Sequence, residues 1–160
     1  TFRLRQTAAP LVRIRMNDST ADPSAARQVA ALCYRTSPRV EILLVTSRET
    51  KRWVTPKGWP MKNRPGYAAA ATEAFEEAGV DGVIGERPIG TFGYDKVLKN
   101  GDARPVAADL YPLQVVAERP RWPEDRQRSR RWFTPEAAAE AVHEDDLAAL
   151  ILAFCAPLAR

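Results

Sequence analysis

The chain has 160 residues, enough for one domain with a buried core and too few for two domains of ordinary size. Hydrophobic residues make up 45% and charged residues 28% of the chain, which excludes disordered and fibrous proteins. The formal net charge of +4 favours anionic ligands such as phosphates, but it does not separate a small phosphorylated molecule from a nucleic acid.

The cysteines and the apolar runs indicate in which cellular compartment the protein resides. Cys33 and Cys155 are far apart and each has apolar neighbours, which predicts buried free thiols and no disulfide or zinc framework. No apolar stretch is long enough to span a bilayer, and the first residues lack the apolar run of a signal peptide. We therefore expect a protein of the reducing cytoplasm that does not contact membranes.

The first 24 residues are predicted to form an N-terminal arm, followed by one domain over residues 25–160. The arm mixes isolated apolar residues with Arg, Asp, Ser and two prolines. Its segment 11–15 alternates weakly and could form a short edge strand. Such an arm could pair across a homodimer.

The domain begins with two segments typical of strands. Residues 28–35 and the β-branched run 40–46 predict a hairpin that turns at Ser37–Pro38. The next segment, 48–63, contains two prolines and a glycine, which predicts a loop.

The second half of the chain predicts further strands and then helices. In chain order these are a strand over 83–94, a hairpin turn at 100–102, a strand over 106–117, a helix capped by Thr134 and running to about 142, and a helix over 147–154 capped by Asp145 or Asp146. Strands, one central helix, more strands and C-terminal helices together predict an α/β (α+β) domain with a mixed sheet packed between helices.

The central helix is the clearest element and is predicted over 66–78. Pro65 suits its start, and Gly79 suits the left-handed residue after its end. At about 100° per residue, one face carries three carboxylates and the opposite face is predicted to be buried. The acidic face holds Glu73, Glu76 and Glu77, and the buried stripe holds Ala71, Ala74, Phe75 and Ala78.

The acidic face is electrostatically unfavourable on its own. Carboxylates three or four residues apart repel by roughly 0.2–0.5 kcal/mol per pair, and no Lys or Arg lies between Gly66 and Val80. Glu76 and Glu77 also oppose the helix dipole. A bound cation would remove this conflict, and hard oxygen ligands suit Mg²⁺ or Mn²⁺. The small Ala69 and Ala70 would leave room beside the face for hydrated ions; the alternative is a solvated acidic surface.

The residues around this helix resemble the Nudix hydrolase family. The Nudix box reads G, five residues, E, seven residues, then R-E-U-x-E-E-x-G-U, with U apolar. This chain matches it at Gly58, Glu73, Ala74, Glu76, Glu77, Gly79 and Val80. The opening Lys-Gly-Trp-Pro is similar to the branch of diphosphoinositol polyphosphate and diadenosine polyphosphate hydrolases. The resemblance implies a Nudix-like α/β/α sandwich.

Two box positions depart from the pattern. Arg64 stands where the first glutamate is expected, and Thr72 stands where the arginine is expected. In the family these two side chains help brace the loop and orient the catalytic glutamate. We hypothesise that Arg64 supplies from the loop the guanidinium that position 72 no longer offers.

The resemblance also implies the chemistry. It predicts metal-dependent hydrolysis of a diphosphate linkage, with Mg²⁺ (or Mn²⁺) as the cofactor and a small phosphorylated molecule as the substrate. Glu76 and Glu77 are expected to ligate the metal, and Glu73 to complete the site or act as the base. In this family the base sometimes comes from a separate loop, for which Glu124 and Asp125 are candidates.

Substrate phosphates need cations and backbone donors near the box. The candidates are Arg52, Lys57, Gly58, Arg104, and the basic run of Arg126, Arg128, Arg130 and Arg131, which is otherwise a solvated face. A base could stack on an aromatic ring, although these rings are equally typical of a core: Trp53, Trp59, Tyr94 and Trp122. His143, the only histidine, is predicted to be a surface residue.

Two alternatives stay open. A Nudix-fold sensor would bind a phosphorylated metabolite without cutting it, and Arg64 and Thr72 favour that reading. An RNA pyrophosphohydrolase or RNA-binding protein is supported by the basic run alone. Because the chain lacks the aromatic and glycine signatures of common RNA modules, nucleic acid is not expected as a partner.

Overall fold

A computed structural model describes residues 25–159. The predicted N-terminal arm, its edge strand at 11–15 and any dimer contact it makes lie outside these residues. Among the described residues, the elements in chain order are β1 Ala26–Arg35, β2 Glu41–Thr46, β3 Trp53–Val54, β4 Lys57–Gly58, α1 Gly66–Ala78, β5 Val80–Ile84, β6 Gly90–Val97, β7 Ala103–Glu118, β8 Arg130–Phe133, α2 Pro135–Ala141, α3 Asp145–Cys155 and a short 3₁₀ helix Ala156–Ala159.

The strands form one mixed sheet with the order β3-β2-β1-β7-β5. The central pair β1 and β7 is parallel, with Ala26 opposite Val106, and the other pairs are antiparallel. Three strands lie off this path, since β4 pairs with β1, β6 with β7 and β8 with β2. The start of β1, the end of β2 and the end of β6 therefore lie at the same end of the sheet.

The central strands are buried on both faces, and alternate residues enter different cores. In β1, Ala31 and Cys33 pack with α1, whereas Ala30 and Leu32 pack with α2 and α3. Parallel strands with both faces covered are expected to be apolar, and residues 29–33 of β1 form such a run. The predicted α/β/α sandwich with a mixed sheet is confirmed.

The cysteines follow the same division. Cys33 lies in the core between the sheet and α1. Cys155, the last residue of α3, lies in the core between the sheet and the two C-terminal helices. Both thiols are buried and free, as predicted. Burial raises the pKa of Cys33 to about 12, so this thiol is an inert core group.

The prediction of one strand over 83–94 is wrong. Two strands, β5 and β6, occupy this region, and both hydrogen-bond to the same edge of the long strand β7. Residues 85–89 lead from one to the other, with backbone bonds from Gly85 to Pro112 and from Ile89 to Leu110. The hairpin turn at 100–102 is confirmed, with Gly101 at a φ of 88°.

The remaining differences lie in short elements and helix starts. The predicted loop 48–63 contains the two-residue strands β3 and β4, and β8 was not predicted. Thr134 caps α2 as expected, because its hydroxyl accepts a bond from the Ala137 N–H. The cap of α3 was predicted wrongly: Glu144 holds that position without a side-chain bond, and both aspartates lie in the first turn. His143 is exposed, as predicted.

None of the helices within residues 25–159 is both long enough and apolar enough to cross a bilayer.

Candidate active site

A cavity of about 610 Å³ lies at the end of the sheet where β1 begins and β6 ends. Carboxylates and cations line it together with two aromatic rings. The lining includes Glu73 and Glu77 from α1, Lys57 and Gly58 from β4, Tyr94 and Lys96 from β6, Glu124 and Arg128 from the segment before β8, and Trp59. This mixture suits a ligand with several negative charges and a bound cation.

Helix α1 presents Glu73 and Glu77 to this cavity, whereas Glu76 is half-buried and does not line it. It spans Gly66–Ala78 as predicted and ends at Gly79, whose φ of 66° is left-handed and whose N–H bonds to the Phe75 carbonyl. The buried face is rotated from the predicted one. Phe75 is 36% exposed, whereas Glu77 is only 6% exposed. Ala69 and Ala70, expected to flank an open acidic face, are fully buried in the core.

The Glu77 carboxylate is held on both oxygens. The Lys57 backbone N–H donates to Oε2 at 3.1 Å, and the Arg128 guanidinium donates to Oε1 at 3.1 Å. Burial raises the pKa of Glu77 to about 7 even though Arg128 and the Lys57 N–H oppose the rise. Each carboxylate oxygen has a second lone pair, so these bonds leave Glu77 able to ligate a cation.

Gly58 supports Glu73 by being small. A Cβ at residue 58 would overlap the Glu73 carboxylate. Glycine therefore lets β4 approach α1 closely enough for Glu73 to face the cavity. Burial, followed by the charges of Glu76 and Glu124, raises the pKa of Glu73 to about 7.

The loop candidate Glu124 lies beside the helix carboxylates. Its backbone N–H donates to the Glu76 carbonyl at 3.0 Å, which fixes the loop on the last turn of α1. Its carboxylate accepts from Arg128 at 3.1 Å and lines the cavity. Asp125 instead accepts a bond from the Trp122 N–H within its own loop.

The basic run does not form a single solvated face. Arg128 points inward, its side chain is 9% exposed, and it bonds to Glu77, Glu124 and the Thr46 carbonyl. Arg130 donates to the Ala78 carbonyl at 2.9 Å and lies 4.0 Å above the Trp122 ring. These two side chains supply the positive charge that the sequence of α1 lacks, from a segment about 50 residues away.

The other predicted cations have different positions. Lys57 lines the cavity, and burial lowers its pKa while the charges of Glu77 and Glu144 oppose the change. Arg52, Arg104 and Arg126 are exposed and are absent from the cavity lining. Sequence reasoning missed Lys96, which does line it. Its spacing of two residues from Tyr94 on one strand is the signal that could have found it.

The two positions that depart from the box contact each other. The Arg64 guanidinium donates to the Thr72 hydroxyl at 2.7 Å, and that hydroxyl donates to the Ala68 carbonyl at 3.0 Å. A loop-to-helix link therefore exists, although Arg64 is exposed and the link is one hydrogen bond.

The donor set fits a hard divalent cation in its chemistry. The candidate ligands Glu73, Glu76 and Glu77 offer carboxylate oxygens, which suit Mg²⁺ and Mn²⁺. Within residues 25–159, no hydrogen bond occupies the Glu73 or Glu76 side chain. In the conformation described there, no three Asp, Glu, His or Cys side chains converge on one point. Ligation by three glutamates would therefore need side-chain rotation.

Comparison with known proteins places the chain in a family. Residues 26–154 match the model of the NUDIX domain. The chain belongs to the Nudix family. It is 34% identical over 127 residues to diphosphoinositol polyphosphate phosphohydrolase 3-beta of Bos taurus, covering 77% of this chain and 73% of that protein. It is 32% identical over 105 residues to mitochondrial Nudix hydrolase 12 of Arabidopsis thaliana, covering 64% and 52%. The chain thus spans about half the length of that plant relative.

Solved structures confirm the Nudix fold. An Ap4A hydrolase binary complex of C. elegans is 23% identical, has a TM-score of 0.62, and covers 84% of this chain and 98% of its own. A NUDIX hydrolase from Nitrosomonas europaea is 19% identical with a TM-score of 0.64, covering 84% and 91%.

Proposed function

We propose that this Nudix chain is a pyrophosphohydrolase. Its substrate would be a nucleoside or dinucleoside polyphosphate or an inositol pyrophosphate, cut at a diphosphate linkage with Mg²⁺ or Mn²⁺. The observation that carries the proposal is the shared cavity: Glu73, Glu77 and Glu124 meet Lys57 and Arg128 there. Carboxylates recruit the cation, and the fixed positive groups draw in phosphate.

Glu73, Glu76 and Glu77 would hold the cation. When bound, the ion would polarise phosphate oxygens and lower the pKa of a water molecule. Glu77 is fixed by Arg128 and the Lys57 N–H, which makes it the anchoring ligand. Pre-set ligands of this kind reduce the reorganisation needed during reaction.

A carboxylate near the cation would accept the proton of the attacking water. Glu73 and Glu124 are the candidates, because both line the cavity. Glu124 is tied to Arg128 at 3.1 Å, whereas Glu73 is free of such bonds within residues 25–159. This difference favours Glu73 as the base, through the carboxylate oxygen that does not ligate the cation, and Glu124 as a group that orients Arg128.

Lys57 would contact substrate phosphates inside the cavity, and Gly58 would let a phosphate approach the backbone closely. The exposed Arg52 and Arg104 do not line the cavity, so they would attract the substrate through long-range charge. Arg126 is exposed and away from the cavity lining, so its contribution would be through long-range charge. Arg128 would act through Glu77 and Glu124. Since Arg128 and Arg130 are taken up inside the protein, the basic run offers little surface to RNA.

A substrate panel tests the proposal. Wild-type protein with Mg²⁺ would be given diadenosine polyphosphates, diphosphoinositol polyphosphates, ADP-ribose and nucleoside triphosphates, and product release measured. Turnover should disappear with EDTA. Glu77→Gln should lower kcat by about 10²-fold or more, because it removes several kcal/mol of charge stabilisation.

The matched control is Glu86→Gln, at an exposed glutamate in the β5–β6 connection, which should leave turnover unchanged. A fully active Glu77→Gln protein would contradict the site. If several panel members bind and none is cut, the chain is a sensor of phosphorylated metabolites. The link from Arg64 to Thr72, in place of the box pair, is the feature that favours that outcome.

The free, buried Cys33 and Cys155 support a reducing compartment such as the cytoplasm. Intact-mass analysis after oxidation would test the separate burial of the two thiols, since a disulfide between them would contradict it.

A further inference from the structure

Glu144, at the start of α3, carries a buried carboxylate oxygen without a partner. Within residues 25–159, its Oε2 atom is buried and makes no hydrogen bond. Glu144 holds the N-cap position of α3, yet its side chain makes no capping bond to that helix. A favourable N-cap side chain accepts a bond from its own helix, and a buried polar atom without a partner costs free energy. The carboxylate is therefore directed into the protein and not toward α3.

The backbone places a second such oxygen beside Glu144. Trp53 and Val142 form an isolated parallel bridge, and the chain is still extended at Glu144, with φ −83° and ψ 120°. Two residues beyond the bridge on each segment, Thr55 and Glu144 come opposite each other. The Thr55 hydroxyl is likewise buried and unbonded in the described part of the chain. Both oxygens therefore lie next to the segment that leads into Lys57.

The charge of Glu144 acts on the Lys57 ammonium. Burial lowers the pKa of Lys57, and the charges of Glu77 and Glu144 oppose that change. Burial raises the pKa of Tyr94 to about 12, and the charge of Glu144 adds to the rise. The Lys57 Nζ lies 4.8 Å from the centroid of the Tyr94 ring, a cation–π distance. Lys57 lines the cavity and Glu144 does not, so the carboxylate lies behind the ammonium.

Lys57 is thus placed between two carboxylates of different use. Glu77 lines the cavity and is the proposed anchoring ligand of the cation, whereas Glu144 lies outside the cavity. Within residues 25–159, no carboxylate oxygen is within 4 Å of the Lys57 Nζ. Lysine carries a point charge on a flexible stem, and an ammonium bound to Glu77 would compete with the cation there. The charge of Glu144 offsets that attraction from outside the cavity.

We propose that Glu144 is a positioning residue, which holds the Lys57 ammonium against the Tyr94 ring and away from Glu77. Lys57 then faces a substrate phosphate, and Glu77 keeps its free lone pairs for the cation. This inference rests on the proposed function, since it assigns the residue that orients the phosphate-binding lysine of the same cavity. Glu144 itself touches neither substrate nor cation.

A double-mutant cycle of Glu144→Gln with Lys57→Met tests this role without requiring turnover. Calorimetry would measure the binding of imidodiphosphate, a non-hydrolysable diphosphate, with Mg²⁺ present. Glu144→Gln keeps the shape of the side chain but removes its charge, and it should weaken binding of the probe about ten-fold, the size of one lost charged contact. In the Lys57→Met protein, which has no ammonium to position, the same change should alter the affinity less than about two-fold.

The matched control is Glu140→Gln, at an exposed glutamate of α2, which should leave the affinity unchanged in both backgrounds. Equal weakening by Glu144→Gln in both backgrounds would mean general damage to the cavity and would overturn the role. Unchanged or tighter binding after Glu144→Gln in the wild-type background would overturn it as well, because the carboxylate would then do nothing for the probe or only repel it.

Urea denaturation of the same four proteins provides a second measurement. Lys57→Met leaves the buried Glu144 carboxylate without its counter-charge, so adding Glu144→Gln to that variant should raise the urea midpoint, whereas Glu144→Gln alone should lower it. Midpoint shifts that simply add would contradict the pairing. A wild-type protein that hydrolyses no member of the substrate panel would defeat the proposed activity, yet the coupling between Glu144 and Lys57 would still stand.

Discussion

The two halves of α1 are held in different ways. At the C-terminal half, Arg128 and Arg130 arrive from outside the helix and bond to the Glu77 carboxylate and the Ala78 carbonyl. Their side chains are 9% and 18% exposed. At the N-terminal half, the loop is linked to the helix by one bond between the exposed Arg64 and Thr72.

This difference shows which half of α1 is held rigidly. Buried charge pairs are expensive to break because the partner left behind is unpaired and desolvated. An exposed bond is replaced by water at little cost. The C-terminal half should therefore dominate both the stability of the domain and the fixed position of Glu77.

Removing Arg128 should give the largest effect on stability. Arg128→Ala leaves Glu77 buried without its guanidinium partner and also frees the Thr46 carbonyl. We expect a loss of about 3–5 kcal/mol in the free energy of unfolding, measured by urea denaturation. The control is Arg126→Ala at an exposed position, expected within about 0.5 kcal/mol of wild type. Equal stability of the two variants would contradict the claim that the C-terminal half of α1 dominates the stability of the domain.

Removing Arg130 should have an intermediate effect. Arg130→Ala takes away the bonds to the Ala78 and Arg119 carbonyls and the stacking on Trp122. The loss should be about 1–3 kcal/mol, because the helix C-terminus also loses a cation that complements its dipole. Urea denaturation of Arg130→Lys provides the comparison, since lysine keeps the charge but not the planar fork. A lysine variant as stable as wild type would show that the positive charge alone accounts for the contribution of Arg130 to stability.

The smallest effect is expected at Arg64. Arg64→Ala removes one exposed hydrogen bond and should cost about 0.5–1 kcal/mol in unfolding free energy. Turnover should fall only a few-fold, measured on whichever panel substrate is cut. The double variant Arg64→Glu with Thr72→Arg restores the box pair and should be at least as active as wild type. Loss of activity in that double variant would mean that the Arg64–Thr72 link is specifically required.

The sequence predicted much of this arrangement because its signals are local. Pro65, the alanine run and Gly79 define α1 to the residue, and the spacing of Glu73, Glu76 and Glu77 predicts one face. The β-branched run of β2 and the turn at Gly101 are also short-range patterns. Each depends on neighbours within a few positions, so one chain suffices to find it.

The rest depends on contacts that are distant in sequence. Arg128 is 51 residues from Glu77, and nothing near it predicts that it points inward. The buried face of α1 is set by how the helix packs on the sheet, which hides Glu77 and exposes Phe75. The break between β5 and β6 follows from their shared partner β7. Lys96 and Trp59, which are far apart in the chain, line the cavity together.

Mn²⁺ titration tests the central claim that the acidic face of α1 is a metal site. Calorimetry would compare wild type, the double variant Glu73→Gln with Glu76→Gln, and the exposed control Glu86→Gln, each checked for cooperative unfolding. We expect the double variant to bind Mn²⁺ at least about ten-fold more weakly, since carboxylate charge sets the affinity of such sites. A double variant that unfolds normally and binds Mn²⁺ as tightly as wild type would contradict it.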